Sequence, residues 1–100
     1  MERHVRSLLT VITEASLERS LVADIEALGA RGYTITEARG QGHRGKRSRD
    51  WEHSGNIRLE VICDAALADR IAAHLRERYY DDYAMILFVQ DVGVLRPDKF

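Results

Sequence analysis

Two segments of this chain align without gaps at an offset of 50 residues: VITEASLERSL, starting at Val11, and VICDAALADRI, starting at Val61. Val, Ile, Ala and Leu recur identically, Glu14 is answered by Asp64, and Leu21 by Ile71. Each copy reads as the end of an apolar strand, an acidic helix start and the first turns of an amphipathic helix. A chain that repeats this unit is a doubled β-α-β, and two such halves in one sheet make the ferredoxin-like βαββαβ arrangement. The expected fold class is therefore α+β: an antiparallel sheet with two helices on one face. With 100 residues there is room for one core, so residues 1–100 are read as a single domain.

The rest of the chain fits that frame. VRSLLTVIT is a first strand, rich in aliphatic and β-branched residues. From Thr13, read as an N-cap, Leu17, Leu21, Ile25 and Leu28 recur at helical spacing, and Gly29 with Gly32 supplies the stop. YTITEAR alternates as a second strand. NIRLEVIC is a third, with Ile57, Leu59, Val61 and Cys63 on one face and Arg58 and Glu60 on the other. Asp64 is expected to cap a second helix, with His74 packed on its Leu67–Ile71 side, and YYDDY to form a turn. AMILFVQDVGVL is the last strand, with a bulge expected at Gly93. Helices on one side leave the other sheet face bare, and MILFV adds more apolar side chains than one helix layer covers, which predicts a closed homo-oligomer.

Between the second and third strands lies RGQGHRGKRSRDWEHSG, residues 39 to 55, with five Lys and Arg side chains in a chain whose net charge is only −1. GQGHRGK satisfies G-x-x-x-x-G-K, but Arg47 stands where Ser or Thr would hold magnesium and no helix period follows, so a nucleoside-triphosphatase loop is rejected. The local physics remains: Gly40 and Gly42 let backbone N–H groups approach an anion, and Arg44, Lys46, Arg47 and Arg49 can neutralise phosphates. A solvated hairpin tip is the bland alternative, yet loops of this length in compact domains tend to be functional or disordered. Trp51 is either a docking knob or a side chain folded back on its own oligomer. His43 and His53 match no compact metal motif, and no Ser-His-Asp or Cys-His arrangement stands out, so neither a metal nor catalysis is expected.

Composition removes other classes. The longest mainly apolar run, AMILFV, is far short of a membrane span, no secretory leader is visible at MERHVRSLLTVIT, and the lone Cys63 fits a reducing compartment, so a cytoplasmic location is expected. A ferredoxin-like RNA-binding module using the basic loop is the alternative reading. Its central strands would need base-stacking aromatics, and YTITEAR with NIRLEV offers only Tyr33. A metal-tolerance trimer of the same fold is disfavoured by the long basic loop.

The order GARGYTITEARGQG, long basic loop, NIRLEVICD, helix, DYAMILFVQDVGVLR resembles the PII signal-transduction superfamily over nearly the whole chain. It is most similar to the PII-like branch associated with carboxysomes and bicarbonate transport. The resemblance implies a homotrimer that binds adenine nucleotides in clefts between subunits, AMP or ADP favoured, with bicarbonate as a second signal. Residues 39–55 would be its T-loop, docking on a bicarbonate transporter or carboxysome-related protein, with no nucleic-acid partner and no cofactor. Residue by residue, Gly40 and Gly42, with Gln41 and His43 beside them, correspond to the loop base that meets phosphate or a small anion. Arg44 and Arg47 match the branch's arginines, read here in GHRGKRS, and would contact the phosphates. Glu60 and Ile62 fall on the strand lining the adenine pocket; Ala84, Met85 and Phe88 follow the short loop opposite the nucleotide; Arg96 matches an arginine reaching phosphate from a neighbouring subunit. YYDDYAM lacks the glycine-flanked lysine that grips a triphosphate, which implies a mono- or diphosphate ligand. The loop has no tyrosine for uridylylation, and RPDKF is not followed by the cysteine-containing extension of some relatives, so neither switch is expected.

Overall fold

The computed structural model describes residues 1–40 and 55–100. Strand β1 (His4–Glu14) is followed by a 3₁₀ turn, Ala15–Leu17, and helix α1 (Glu18–Leu28). Strands β2 (Thr34–Ala38) and β3 (Asn56–Cys63), helix α2 (Ala65–Tyr79), strand β4 (Ile86–Val94) and a 3₁₀ turn at Pro97–Lys99 complete the order. The sheet runs β2-β3-β1-β4 with every neighbour antiparallel. This is the predicted ferredoxin-like architecture, with β1 and β3 central because each half of the repeat contributes its first strand to the middle.

The period-2 pattern of β3 separates two environments. Ile57, Leu59, Val61 and Cys63 are 4% exposed or less, whereas Arg58, Glu60 and Ile62 face the other side half-buried. Across the register, Val11 pairs with Leu59 and Leu9 with Val61, so the buried side chains of both central strands make one apolar layer. Helix α1 adds Leu21 and Ile25, the preceding turn adds Leu17, and α2 adds Leu67, Ile71 and Leu75, all inside the core. These are the positions that the 50-residue offset equates. Each fully buried Leu or Ile contributes about 1.5–3 kcal/mol.

The two helix entries differ. Asp64 Oδ1 accepts from the Leu67 N–H at 2.7 Å, the predicted cap. Thr13, expected to cap the first helix, is instead a strand residue opposite Ile57, fully buried and pointing into the core layer. The pairing of β1 with β3 continues to Glu14 opposite Asn56, so the sheet ladder outcompetes an early helix start. Glu14 occupies the turn's N-cap position without capping; its carboxylate accepts from the Ser16 hydroxyl at 2.7 Å. At the other end, Gly29 takes φ 113°, and Ala30 N–H donates to Ile25 O at 2.9 Å, closing α1 as the sequence predicted.

The two helices are clasped by one carboxylate. Tyr79 Oη donates to Asp24 Oδ2 at 2.6 Å, Arg78 Nη1 lies 3.4 Å from Asp24 Oδ1, and His74 Nε2 lies 3.8 Å from Oδ2. His74 is thus half-exposed at the clasp, at ion-pair distance, rather than packed inside. The turn after α2 is closed by Tyr83 N–H donating to Tyr79 O at 3.0 Å, as YYDDY suggested.

The expected bulge at Gly93 is absent from the described strand. The β1–β4 register runs unbroken from Ile12–Ile86 to His4–Val94, and Gly93 pairs with Val5. A Cβ there would meet the Arg3 side chain at 3.2 Å. The sheet face opposite the helices, which no described helix covers, carries partly buried Leu8 and Ile12 and fully buried Thr10 on β1 beside Ile86 and Phe88 on β4, the last two 46% and 39% exposed. No helix among the described residues is long and apolar enough to cross a membrane.

Candidate functional site

A cleft of about 350 Å³ opens at the end of the sheet where β2 begins and the C-terminal segment returns. Its floor is set by register. Thr34 pairs with Glu60, and Leu8 pairs with Ile62, so these four side chains stand on the uncovered face in two adjacent rows. Its walls come from the α1–β2 connection, Arg31, Gly32 and Tyr33, and from Lys99 and Phe100. Aromatic and aliphatic surface thus meets two cations and one carboxylate, the mixture expected of a small-molecule site. A shallower neighbouring space of about 210 Å³ shares Arg31, Ile62 and Phe100 and reaches Cys63, Asp64 and Arg70.

The carboxylate is held on one side: Arg58 Nε and Nη2 both donate to Glu60 Oε2 at 3.3 Å. Arg31 lies in the loop after α1, and its Nη1 donates to Asp98 O at 3.3 Å, which joins the cleft to the C-terminal turn. Arg6 Nη2 makes a second such bond, to Pro97 O at 3.3 Å. Burial pushes the Cys63 thiol up from its usual 9.0, and the Asp64 carboxylate adds to this against the opposing Arg70 charge. It is a packed thiol and a poor nucleophile, as the sequence indicated.

The predicted site residues divide three ways. Glu60 and Ile62 line the cleft, together with Leu8, Arg31, Tyr33, Thr34, Lys99 and Phe100, which sequence reasoning did not assign to it. The quoted GARGYT run was the available signal for Arg31, Tyr33 and Thr34; Lys99 and Phe100 carry no periodic or motif signal. Gly40 stands at the open end of the β2–β3 ribbon, where Ala38 pairs with Asn56 and Gly55 O accepts from Ala15 N–H at 3.1 Å. Ala84, Met85 and Phe88 lie toward the opposite edge. Phe88 shares the Glu60 row through Thr10, on the strand beyond it, and Met85 is buried in the core at 7% exposure. Arg96 is exposed and precedes the C-terminal turn, its carbonyl accepting from Lys99 N–H at 3.1 Å. None of Ala84, Met85, Phe88 and Arg96 lines the cleft with Glu60. Gln41, Gly42, His43, Arg44, Arg47 and Trp51 lie outside the described residues.

Comparison with known proteins gives this geometry a family. A protein from Thermus thermophilus described as a PII-like signalling protein is 47% identical, with a TM-score of 0.84 over 100% of this chain and 99% of that one. CPII of Thiomonas intermedia K12, a PII-like protein solved with ADP, AMP and acetate, shares the fold at 19% identity and TM-score 0.83, covering 100% of this chain and 98% of its own. CPII bound to ADP, AMP and bicarbonate matches at 20% identity and TM-score 0.81 over 99% of this chain and 100% of that one. The family model described as nitrogen regulatory protein P-II matches residues 6–99, so the chain belongs to the P-II family.

Proposed function

We propose that this chain is a PII-like signalling protein of the inorganic-carbon branch that binds AMP or ADP, with bicarbonate as a second signal, in clefts between the subunits of a homotrimer. The observation that carries the reading is the cleft of Glu60, Thr34, Ile62, Arg31 and Tyr33. An adenosine presents N6–H and ribose O–H donors, ring-nitrogen acceptors and an apolar face. Glu60 accepts, Arg31 and Lys99 donate, and Leu8, Ile62 and Tyr33 supply the apolar counterpart. About 350 Å³ is near the lower end of ligand pockets, suited to the nucleoside part. The phosphates then extend along the β2–β3 ribbon toward Gly40, where the basic loop begins. Arg44 and Arg47 are assigned to meet them, and Ala84, Phe88 and Arg96 to approach from the neighbouring subunit, with Met85 packed behind them in the core.

The bare sheet face with Ile86 and Phe88 supports subunit closure, and the CPII complexes with ADP, AMP and bicarbonate support the ligand class. The output is a T-loop whose arginines are drawn toward phosphate, changing the surface offered to a transporter or carboxysome partner in the cytoplasm. The role is regulatory rather than catalytic. Calorimetry with AMP, ADP and ATP, with and without bicarbonate, tests the reading. Arg44→Ala with Arg47→Ala should weaken AMP and ADP strongly and leave the oligomer intact. Absence of adenylate binding by the unaltered protein would overturn it.

A further inference from the structure

The C-terminal turn is fastened to the cleft by two separate arginines. Arg6, on β1, reaches Pro97 O, and Arg31, from the α1–β2 connection, reaches Asp98 O, each at 3.3 Å. The turn itself is closed by Lys99 N–H to Arg96 O at 3.1 Å and Phe100 N–H to Pro97 O at 3.2 Å. This places Phe100, 37% exposed, on the walls of both adjoining spaces, the cleft and its 210 Å³ neighbour, which also share Arg31 and Ile62. An aromatic side chain left partly open, on a segment whose backbone acceptors are gripped from two elements, presents a flat apolar face to whatever the cleft contains.

We infer that Pro97–Phe100 is a strap that completes the nucleoside end of the cleft, with Phe100 as a base-contacting, specificity-determining residue and Arg6 and Arg31 as the positioning residues that hold it. This rests on the adenylate reading above and adds to it a site element contributed by the same subunit's C-terminal segment. A ring packs against a purine with more area than against a pyrimidine, so the strap favours purines by contact and leaves exocyclic discrimination to Glu60. Arg31 carries five N–H donors, one of which is spent on Asp98 O, so it can touch a ligand while still gripping the strap. Occupancy of the cleft and order of the strap are therefore coupled through one guanidinium.

Calorimetry with adenosine, AMP and CMP on the full chain tests this. Phe100→Ala should lose about tenfold in affinity for adenosine and AMP alike, because the ring acts on the base rather than the phosphate. The AMP-to-CMP preference should shrink in the same variant, a change that mere loosening of the fold would not produce. Phe100→Trp should retain the preference. Arg6→Ala should raise amide exchange at Lys99 and Phe100 and weaken both adenine ligands without altering the AMP-to-adenosine ratio. Arg44→Ala with Arg47→Ala serves as the contrast, weakening AMP and sparing adenosine. If the unaltered protein binds AMP and Phe100→Ala binds adenosine and AMP within about twofold of it with the same AMP-to-CMP ratio, the strap is refuted and the adenylate reading stands. If the unaltered protein binds none of the three, both fall.

Discussion

Replacing Tyr79 by Phe isolates the clasp between the two helices. The ring is 3% exposed, packs edge-on to Tyr83 with centroids 5.9 Å apart, and is unchanged by the substitution. What disappears is the 2.6 Å bond to Asp24 Oδ2, together with the hydroxyl's side-chain hydrogen bond with Ser20. A hydrogen bond to a charged group contributes about 1.5–3 kcal/mol. Because Asp24 keeps Arg78 at 3.4 Å and has His74 at 3.8 Å, its carboxylate is not abandoned, and the lower end, about 1.5 kcal/mol, is expected. Urea unfolding at fixed protomer concentration measures this, since an oligomer's stability depends on concentration. Alkaline pH supplies an independent readout. Burial first, and then the bond to Asp24, raise the Tyr79 phenol above its usual 10.0. Above that pH the unfolded chain gives up a proton that the native chain keeps. Each such group lowers stability by up to about 1.4 kcal/mol per pH unit until the native phenol ionises as well. The Phe variant lacks this contribution, so its stability should fall less steeply above pH 10 than the parent's. A cost below about 0.5 kcal/mol together with an identical alkaline limb would refute the clasp as a stabilising contact.

Asp64→Ala should cost about 1 kcal/mol in urea unfolding through loss of the α2 cap, while Glu14→Ala at the matching position should be nearly neutral, because that carboxylate caps nothing. Native Cys63 should resist iodoacetamide near neutral pH and react in step with global unfolding, and its raised thiol should erode stability as pH climbs through 9.0, a contribution that Cys63→Ala removes. Phe88→Glu puts a charge on the uncovered sheet face and should shift light-scattering mass toward the monomer; an unchanged mass would show that subunits associate through another surface.

Local pattern carried the fold. The alternation of NIRLEVIC separates core from open face because a pleated strand converts sequence parity directly into side, and the 50-residue repeat places Leu17, Leu21 and Ile25 in the roles of Leu67, Ile71 and Leu75. The first helix start was misplaced because Thr13 is both a good cap and a good strand residue. The pairing of β1 with β3, invisible from one segment, decided between them. At Gly93 the β1–β4 register continues without a bulge, and the Arg3 side chain passes beside it, a proximity between residues far apart in sequence. The cleft was half legible. Glu60 and Ile62 came from the family's strand pattern, whereas Lys99 and Phe100 reach it through hydrogen bonds such as Arg31 to Asp98, spanning 67 positions with no periodic signature.

The β2–β3 ribbon joins its two ends mechanically. Thr34 and Glu60 form the rung at the cleft, and Ala38 and Asn56 the rung from which the basic segment departs, four residues along, or about 13 Å of ladder. Ala38 and Asn56 share one rung, about 5 Å apart, so the sheet fixes the β2 and β3 ends that flank residues 39–55. A pull on the proposed docking segment enters the sheet at both flanking residues and passes into the β2–β3 ladder, where several hydrogen bonds share the load. β2 is the outer strand of that ladder, so the margin of the sheet yields before its centre. Under the proposed reading, tension on residues 39–55 passes along this ladder to the Thr34–Glu60 rung at the cleft, making affinity for the proposed nucleotide a gauge of whether a partner is attached.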